Sequence, residues 1–391
     1  MPNNEFSNPG SSMNLCKLLI ITVLLGTSTS QADEATYNSI EALGKALYFD
    51  VNISFNRSQS CSSCHLPESG FSDPRQNLSD KAFSLGDDGR SLGDRNAPSV
   101  AYAVYSPDFH KNAQGKYIGG QFLDGREKDL QGQAGGPLLN PIEMGMPDKA
   151  SVVARLMENS NYVTAFTNLF GTQVFEEAES AYDAMTKSIA AFEKTDYFSP
   201  FDSKYDRYLR GEYRMTKQEE LGMTLFFSQQ FTNCNLCHQL QKLPESKGET
   251  FTNYEYHNIG VPTNIAGRKA NGLPVDLKDE GLFANPAVHD KAQSGKFKVP
   301  TLRNVAITGP YMHNGVFKDL KTVILFYNKY NTKSSSRQIN PETGALWLKP
   351  EIDKNISIKE LETGPALSNK RINALIAFMM TLTDQRYEHL L

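Results

Sequence analysis

The sequence predicts a mainly α-helical protein composed of two tandem units of one kind. The pattern Cys-x-x-Cys-His occurs twice, at 61–65 and at 234–238. Each copy follows a similar segment, Leu-Gly-Lys-Ala-Leu-Tyr-Phe at 43–49 and Leu-Gly-Met-Thr-Leu-Phe-Phe at 221–227. Leucines four residues apart lie on one face of a helix, so each unit is predicted to contain a helix that leads into its cysteine pair. Because the helix and the cysteine pattern recur together, we interpret them as an internal repeat.

The remaining elements are predicted from hydrophobic periodicity along the chain. Apolar residues recur at helical spacing at 150–169, 176–194, 218–229, 320–330 and 369–383. The segments 65–97 and 239–298 have no helical period and are predicted to be long loops. Loops of that length inside a domain usually cover a functional site. An interrupted pattern at 199–214 divides an N-terminal domain, 33–205, from a C-terminal domain, 206–391.

The repeated Cys-x-x-Cys-His pattern is the strongest chemical signal in the sequence. It is the attachment pattern for c-type haem, in which both thiols form thioethers and the histidine becomes an axial iron ligand. The residues concerned are Cys61, Cys64, His65, Cys234, Cys237 and His238. Two cysteine pairs are also compatible with zinc binding, disulfides or thioredoxin-like redox chemistry. The pairs lie far apart, and neither zinc nor a disulfide explains the two histidines. The pattern therefore predicts two covalent haem c groups in two cytochrome c-like domains.

The N-terminal residues predict export. Lys17 precedes a short apolar run that leads through small residues to Ala32, as in a secretory signal peptide at 1–32. The run is too short to span a bilayer as a helix, so the cleaved protein is expected to be periplasmic without stable membrane insertion. An uncleaved anchor is the alternative, and the start is either Met1 or Met13. Export agrees with the haem prediction, because c-type haem is attached outside the bacterial cytoplasm.

Size and charge limit the classes of function. The chain of 391 residues has a net charge of −4 and no basic patch, so no nucleic-acid partner is expected. Removal of the signal peptide leaves about 360 residues, which is enough for two domains of ordinary size.

Several short segments together resemble the di-haem bacterial cytochrome c peroxidase/MauG family. Besides the two haem-attachment sequences, the resemblance is carried by Leu43–Asp50, Arg95–Ser99, Asp124–Arg126, Gly136–Met144, Phe297–Asn304 and Thr308–Gly315. It implies two cytochrome c-like domains, an N-terminal haem that reacts with peroxide and a six-coordinate C-terminal haem that transfers electrons. It also implies a calcium ion between the domains, bound by Asn96 and by the backbone carbonyls of Thr308 and Pro310.

The resemblance also assigns residues around the first haem. Glu143 corresponds to the acid–base glutamate of the family, and Gln133 and Pro137 correspond to residues of its distal pocket. A carboxyl near an apolar haem face is expected to have a raised pKa, which suits proton transfer near neutral pH. The alternative for Glu143 is a solvated loop acid. The family histidine that closes the peroxide site is missing from 66–95, so this site is expected to be five-coordinate and open in the oxidised protein.

The distal ligand of the second haem separates branches of the family. In the peroxidases it is a methionine that follows the Tyr-x-His-x-Gly motif, whereas the residue fourteen positions after His313 here is Tyr327. This tyrosine resembles the MauG branch, and a hard, anionic tyrosinate favours high-valent iron. The alternatives are that Tyr327 is a core aromatic residue and that Met312 is the ligand.

One departure from the family concerns the residue between the haems. The family usually has a tryptophan immediately before its Asp-Gly-Arg motif, and this chain has Leu123 there. The single tryptophan is Trp347, and the neighbouring Phe122 is hard to oxidise. We therefore do not expect charge sharing by hopping through this position. Tunnelling over a short gap, or another of the 17 tyrosines, is the alternative.

Three functions are compatible with the sequence. The favoured one is a MauG-like enzyme that uses hydrogen peroxide to form a high-valent di-haem state, which then oxidises a residue of a partner protein. The second is a cytochrome c peroxidase that reduces hydrogen peroxide to water with electrons from a small cytochrome or cupredoxin. The third is a non-catalytic di-haem electron carrier, and Glu143 together with the open first site argues against it.

Overall fold

Two closely packed helix pairs organise the fold. The structure is a computed structural model that describes residues 37–240, 246–362 and 364–391. The predicted signal peptide and both candidate start residues lie outside the described residues. The described residues belong to one compact unit, Thr36–Leu391.

Helices account for most of the regular structure, which confirms the predicted mainly α-helical class. They are α1 (Ile40–Phe49), α2 (Cys61–Cys64), α3 (Leu130–Leu139), α4 (Lys149–Met157), α5 (Ser160–Phe170), α6 (Ala178–Glu193), α7 (Lys204–Leu209), α8 (Lys217–Phe226), α9 (Ile265–Asn271), α10 (Leu320–Asn328), α11 (Ile358–Leu361) and α12 (Asn369–Met380). Two small antiparallel sheets pair β1 (His110–Lys111) with β2 (Tyr117–Ile118) and β3 (Tyr256–His257) with β4 (Phe297–Lys298). In the described part of the chain, none of the helices has the length and apolar character needed to cross a membrane.

Four of the predicted helices agree with the structure, and two other segments differ from it. The helices predicted at 176–194, 218–229, 320–330 and 369–383 correspond to α6, α8, α10 and α12. The single helix predicted at 150–169 is wrong, because α4 ends at Met157 and the Asn159 side chain accepts a hydrogen bond from the backbone N–H of Asn161 to cap α5. The loop predicted at 239–298 is wrong in part, since it contains α9 and the strands β3 and β4.

The first helix pair consists of α1 and α6, whose backbones touch at a glycine. A Cβ atom on Gly44 would lie 1.8 Å from the carbonyl oxygen of Ser188. The second pair, α8 and α12, has the same construction, since a Cβ atom on Gly222 would lie 1.9 Å from the carbonyl oxygen of Ala374. Only glycine permits such close approach. The Leu-Gly segment found twice in the sequence therefore places one helix of each pair.

Each helix pair belongs to its own hydrophobic core. The first core draws its buried residues from 43–201, and the second draws them from 205–382. The change from one core to the other falls within 199–214, where the sequence predicts a domain boundary. The division into two domains stays a prediction, because the described residues form one compact unit.

A fully buried arginine joins the two cores. The guanidinium of Arg303 lies 5.3 Å from the Tyr102 ring and 4.9 Å from the Phe201 ring, both in the first core, and 5.3 Å from the Phe251 ring in the second. It forms an ion pair of 2.5 Å with Asp206. Because a buried charge needs a partner, this pair holds residues of both cores in place.

Candidate haem-binding sites

The two cysteine motifs adopt similar local structures. Cys61–Cys64 form the short helix α2, and the second motif begins with a single 3₁₀ turn at Cys234–Leu236. The four cysteines are free thiols rather than disulfides, and all are partly buried. Each motif therefore presents its two sulfurs for covalent attachment.

Both motif histidines are oriented in the same way. The Nδ1–H of His65 donates a hydrogen bond to the carbonyl oxygen of Phe71 at 3.3 Å, and that of His238 donates to Phe251 at 3.0 Å. A carbonyl only accepts, so Nδ1 carries the proton and Nε2 is left with a lone pair for a metal. Burial lowers the pKa of both imidazoles, to about 4 for His238, which keeps them in the neutral form that binds metal.

The loops behind the two histidines are also equivalent. Ser99 donates from its hydroxyl to the carbonyl of Gly70 at 2.6 Å, and Thr301 donates to the carbonyl of Thr250 at 2.7 Å. The phenylalanines that accept from the histidines have left-handed φ values of 57° and 55°. The internal repeat thus extends from the helix pair to the hydrogen bonds that hold each histidine.

Both motifs line one cavity of about 530 Å³. Its walls include buried polar atoms that have no hydrogen-bond partner among the described residues, namely Glu193 Oε2, Asn233 Nδ2, Tyr254 Oη, His257 Nε2, His313 Nε2 and Asn328 Nδ2. Leaving a buried polar atom unpaired costs about 1–3 kcal/mol, so a group of them indicates a bound partner with polar substituents. The free thiols, the unprotonated Nε2 atoms of His65 and His238 and the volume of this cavity fit covalently attached haem.

The three residues expected around the first haem line this cavity. Gln133 and Pro137 lie four residues apart on α3 and therefore on one face of that helix. Pro137 has no N–H to donate to the carbonyl of Gln133, and α3 ends two residues later. Glu143 follows α3, and burial raises the pKa of its carboxyl although Arg126 opposes the shift. The structure brings the three side chains to one cavity with His65, and their roles stay predictions.

Tyr327 lies on α10 and lines the cavity beside the second motif. Burial raises the pKa of its phenol, and the neighbouring Cys237 and Cys234 thiols contribute further. The phenol is therefore neutral unless a metal replaces its proton. The competing candidate Met312 also lines the cavity, whereas the ring of His313 stacks on Phe297 with a centroid distance of 3.7 Å.

Leu123 contacts the strand β4, which follows the second cysteine motif in the chain. Its carbonyl accepts a hydrogen bond of 2.9 Å from the backbone N–H of Lys298 in β4. The Lys298 ammonium is buried and donates to Ser106 at 3.3 Å and to the Gly120 carbonyl. Burial lowers the pKa of this ammonium to about 7, against the attraction of nearby Asp124. The segment 119–126 thus connects the first core to the strand that follows the second motif.

The single tryptophan lies outside the cavity walls. Trp347 packs edge-on against Phe317 and Phe326 with centroid distances of 5.7 and 5.6 Å. Its indole N–H donates a hydrogen bond of 3.0 Å to the carbonyl of Arg337. Trp347 therefore does not take the place of the tryptophan that Leu123 replaces.

The three expected calcium ligands line the same cavity. Asn96 donates from its backbone N–H to the His313 carbonyl at 2.7 Å and from its amide nitrogen to the Ala82 carbonyl at 3.1 Å, which leaves its side-chain oxygen for a cation. Within the described residues, no three or more His, Cys, Asp or Glu side chains form a metal site. Ligands that are amide and backbone oxygens do not require such a group, and the calcium site of Asn96, Thr308 and Pro310 stays a prediction.

Sequence reasoning missed several residues of the cavity. His257 receives no role from the sequence, yet its Nδ1 lies 3.0 Å from the Ser357 hydroxyl and its Nε2 lies 3.6 Å from Glu255. Lys298 and Glu193 were also missed, since a lone charged residue in an apolar segment carries no signal of burial. The equivalence of Glu193 with an apolar residue of the second helix pair becomes visible only from the helix contacts of the structure.

The repeated helix pairs, the two attachment motifs and the shared cavity define a c-type haem protein with two haem sites. Residues 38–214 match the model of a family described as Di-haem cytochrome c peroxidase. Over 96% of its length and 96% of the relative's, the chain is 52% identical to Methylamine utilization protein MauG of Paracoccus denitrificans. The chain therefore belongs to the di-haem cytochrome c peroxidase/MauG family.

Other relatives support the same assignment. The chain is 32% identical to cytochrome c551 peroxidase of Nitrosomonas europaea, over 70% of this chain and 68% of that protein. Among solved structures, the diheme peroxidase BthA from Burkholderia thailandensis superposes with a TM-score of 0.76 at 29% identity, covering 90% of this chain and 87% of that one. The predicted family is confirmed, and the chain is a di-haem peroxidase enzyme of the MauG type.

Proposed function

We propose that this enzyme is exported to the periplasm and uses hydrogen peroxide to reach a high-valent di-haem state that oxidises a residue of a partner protein. The observation that carries the proposal is Tyr327, which lies beside the second attachment motif where the peroxidases have methionine. The 52% identity to a MauG protein over nearly the full chain supports it. The name of that relative refers to methylamine utilization, and we extend this role to the present chain.

The proposed architecture is two cytochrome c-like domains, 33–205 and 206–391. The separate cores and the equivalent helix pairs support it. Each domain would hold one haem c, the first through Cys61, Cys64 and His65 and the second through Cys234, Cys237 and His238. When bound, the haems supply the iron chemistry, namely reaction with peroxide and storage of oxidising equivalents.

The residues of the first site have proposed roles in proton movement and access. Glu143 would take a proton from peroxide at one oxygen and return it to the departing oxygen, for which its raised pKa is suited. Gln133 and Pro137 would shape the space that peroxide occupies, from adjacent turns of α3. The segment 66–95 contains no histidine to close this space.

At the second site, His238 and Tyr327 would hold the haem iron, the tyrosine through its phenolate oxygen. An anionic oxygen ligand stabilises the oxidised metal and lowers its reduction potential. Leu123 offers no oxidisable ring between the sites, so electrons would pass by tunnelling or through another residue. Asn96, Thr308 and Pro310 would hold one calcium ion where the two halves meet.

The reaction with peroxide tests this proposal against its alternatives. Oxidised, haem-loaded protein is mixed with an equimolar amount of peroxide, without reductant, and its absorption spectrum is followed. The proposed function predicts an immediate and long-lived change. A spectrum that changes only after an electron donor has been added indicates the cytochrome c peroxidase, which the relatives at about 32% identity also favour. A spectrum that never changes indicates an electron carrier.

A further inference from the structure

Glu193 is a buried acid that the proposed reaction does not use. It is the last residue of α6, its residue surface is 4% exposed and it lines the haem cavity. Its Oε2 has no hydrogen-bond partner among the described residues. A carboxyl in such a place is costly unless it stays protonated or interacts with a bound group. Its retention in the cavity wall therefore requires an explanation.

The internal repeat shows that the fold does not require an acid at this position. Ser188 and Ala374 are equivalent, because each is the carbonyl that the glycine of its helix pair contacts. Glu193 lies five residues after Ser188, and Met379 lies five residues after Ala374. Glu193 and Met379 are therefore equivalent positions of the repeat. Met379 also lines the cavity and is buried. The same helical position is thus apolar at the second motif and acidic at the first.

Among the described residues no cation acts on the Glu193 carboxyl, so only positive charge brought by a bound haem iron would favour its ionised form. Burial alone raises the pKa of its carboxyl to about 8. The titratable groups near it are the Tyr48 phenol on α1 and the Cys61 thiol on α2, and neither carries positive charge. Polar side chains on the other helices packed against α6 have partners other than Glu193. Lys149 on α4 pairs with Glu179, Gln131 on α3 bonds to Asp183, and Tyr162 on α5 bonds to Asp50.

We propose that Glu193 holds a proton for the first haem site, binding one proton when the iron at that site gains an electron and releasing it when the iron loses that electron. The electron comes from the redox partner and the proton comes from solvent, so the net charge inside the cavity stays constant. In a low-dielectric interior an uncompensated change of one charge is expensive, and a carboxyl close to the attachment motif offsets it. At the equivalent position the second site has Met379, whose side chain cannot bind a proton.

This proposal rests on haem being bound at Cys61, Cys64 and His65, as proposed above, but not on the reaction with peroxide. It is tested by titrating the reduction potential of each haem from about pH 6 to about pH 10, around the range in which a buried carboxyl with a raised pKa ionises. Spin-state signals distinguish the five-coordinate from the six-coordinate haem. The first potential is expected to fall as pH rises, with a slope approaching about 59 mV for each tenfold change in proton concentration. The second potential has a titratable neighbour of its own, His257 beside Cys237, so its pH dependence is expected to be the same in the wild-type protein and in variants of Glu193.

Variants separate Glu193 from other titrating groups. Glu193→Met copies the equivalent residue of the second site and is therefore expected to fold, and it should remove the slope. Glu193→Gln keeps the size of the side chain and should do the same. The matched control is Glu177→Gln, at the exposed start of the same helix, which should leave the slope unchanged. A carboxyl band that appears in the infrared difference spectrum on reduction should be absent from both Glu193 variants.

The two proposals fail in different ways. Haem-loaded wild-type protein whose first potential is independent of pH overturns the role of Glu193 and leaves the proposed function intact. A slope that persists in Glu193→Met has the same consequence. Purified protein that carries no covalent haem overturns the proposed function first, and with it the basis for this role.

Discussion

Replacing Gly44 by alanine should separate the first helix pair. The added Cβ atom would lie 1.8 Å from the carbonyl oxygen of Ser188 and 2.5 Å from its carbonyl carbon. Ordinary contact begins near 3.4 Å, so the two backbones must move apart by roughly 1.5 Å. The obstacle is a helix backbone, which cannot rotate away as a side chain can. Overpacking of this kind costs about 1–3 kcal/mol, and we expect the upper end of that range.

Thermal unfolding followed by far-UV circular dichroism measures this effect. A loss of about 3 kcal/mol lowers the midpoint by roughly 4 °C when about 360 residues unfold together. Gly222→Ala should behave alike, because its Cβ atom would lie 1.9 Å from the Ala374 carbonyl oxygen. Haem spectra should show the perturbation at the first site for Gly44→Ala and at the second for Gly222→Ala.

The matched control is Gly93→Ala. A Cβ atom on Gly93 would meet nothing closer than the Arg95 carbonyl oxygen at 3.6 Å, which is ordinary contact. Its free energy of unfolding should stay within about 0.5 kcal/mol of the wild-type value, or rise slightly because the unfolded chain loses freedom. Equal midpoints for Gly44→Ala and Gly93→Ala would show that the close approach of α1 and α6 is not needed for stability.

Three further predictions concern individual side chains. Glu143→Gln should slow the reaction with peroxide by about 10²–10⁴-fold in stopped-flow mixing, because the proton acceptor is lost. Glu177→Gln on the exposed surface should react at the wild-type rate, and equal rates for the two variants would exclude Glu143 as the proton carrier. Tyr327→Met should raise the reduction potential of the second haem, because a neutral thioether favours the reduced iron more than a phenolate does, and an unchanged potential in a redox titration would remove Tyr327 as ligand. Asp206→Asn should lower the free energy of unfolding by about 3–5 kcal/mol, since it leaves Arg303 buried without the carboxylate it pairs with. A loss below about 1 kcal/mol in chemical denaturation would show that this ion pair does not stabilise the fold.

The sequence predicted the features that depend on local spacing. The attachment motifs, the helix at 43–49 and its copy at 221–227 follow from short-range patterns, and the structure contains both helices. The break between α4 and α5 was missed although Asn159 is a favourable cap, because the apolar period continues across it.

Burial of the polar residues could not be predicted in this way. Lys298 is buried because its ammonium reaches the carbonyl of Gly120, 178 positions earlier in the chain. Glu193 faces the cavity because α6 is fixed against α1 at Gly44 and Ser188, and that register is a tertiary contact. Periodicity assigns a residue to a helix face, but it does not identify the surface that the face meets.

The equivalence of the two helix pairs gives meaning to the positions where they differ. Tyr48 and Phe226 lie four residues after the two packing glycines, and each ring contacts the phenylalanine of its partner helix, at 5.6 and 5.2 Å. Only Tyr48 carries a hydroxyl, which donates a hydrogen bond of 2.9 Å to the His65 carbonyl. Glu193 likewise replaces the Met379 of the second pair, so the first site is the more polar one at these two positions.

This asymmetry follows a physical requirement of the proposed chemistry. A site that reacts with peroxide must move protons as well as electrons, so acids and hydroxyls near it are useful despite the cost of burying them. A site that only stores and passes an electron works best when its surroundings do not reorganise, and an apolar wall that contains Met379 and Phe226 suits that role. Exchanging the paired residues, with Glu193→Met and Met379→Glu in one protein, should therefore move the pH dependence of the reduction potential from the first haem to the second. A pH dependence that stayed with the first haem would mean that the two sites differ for reasons other than these walls.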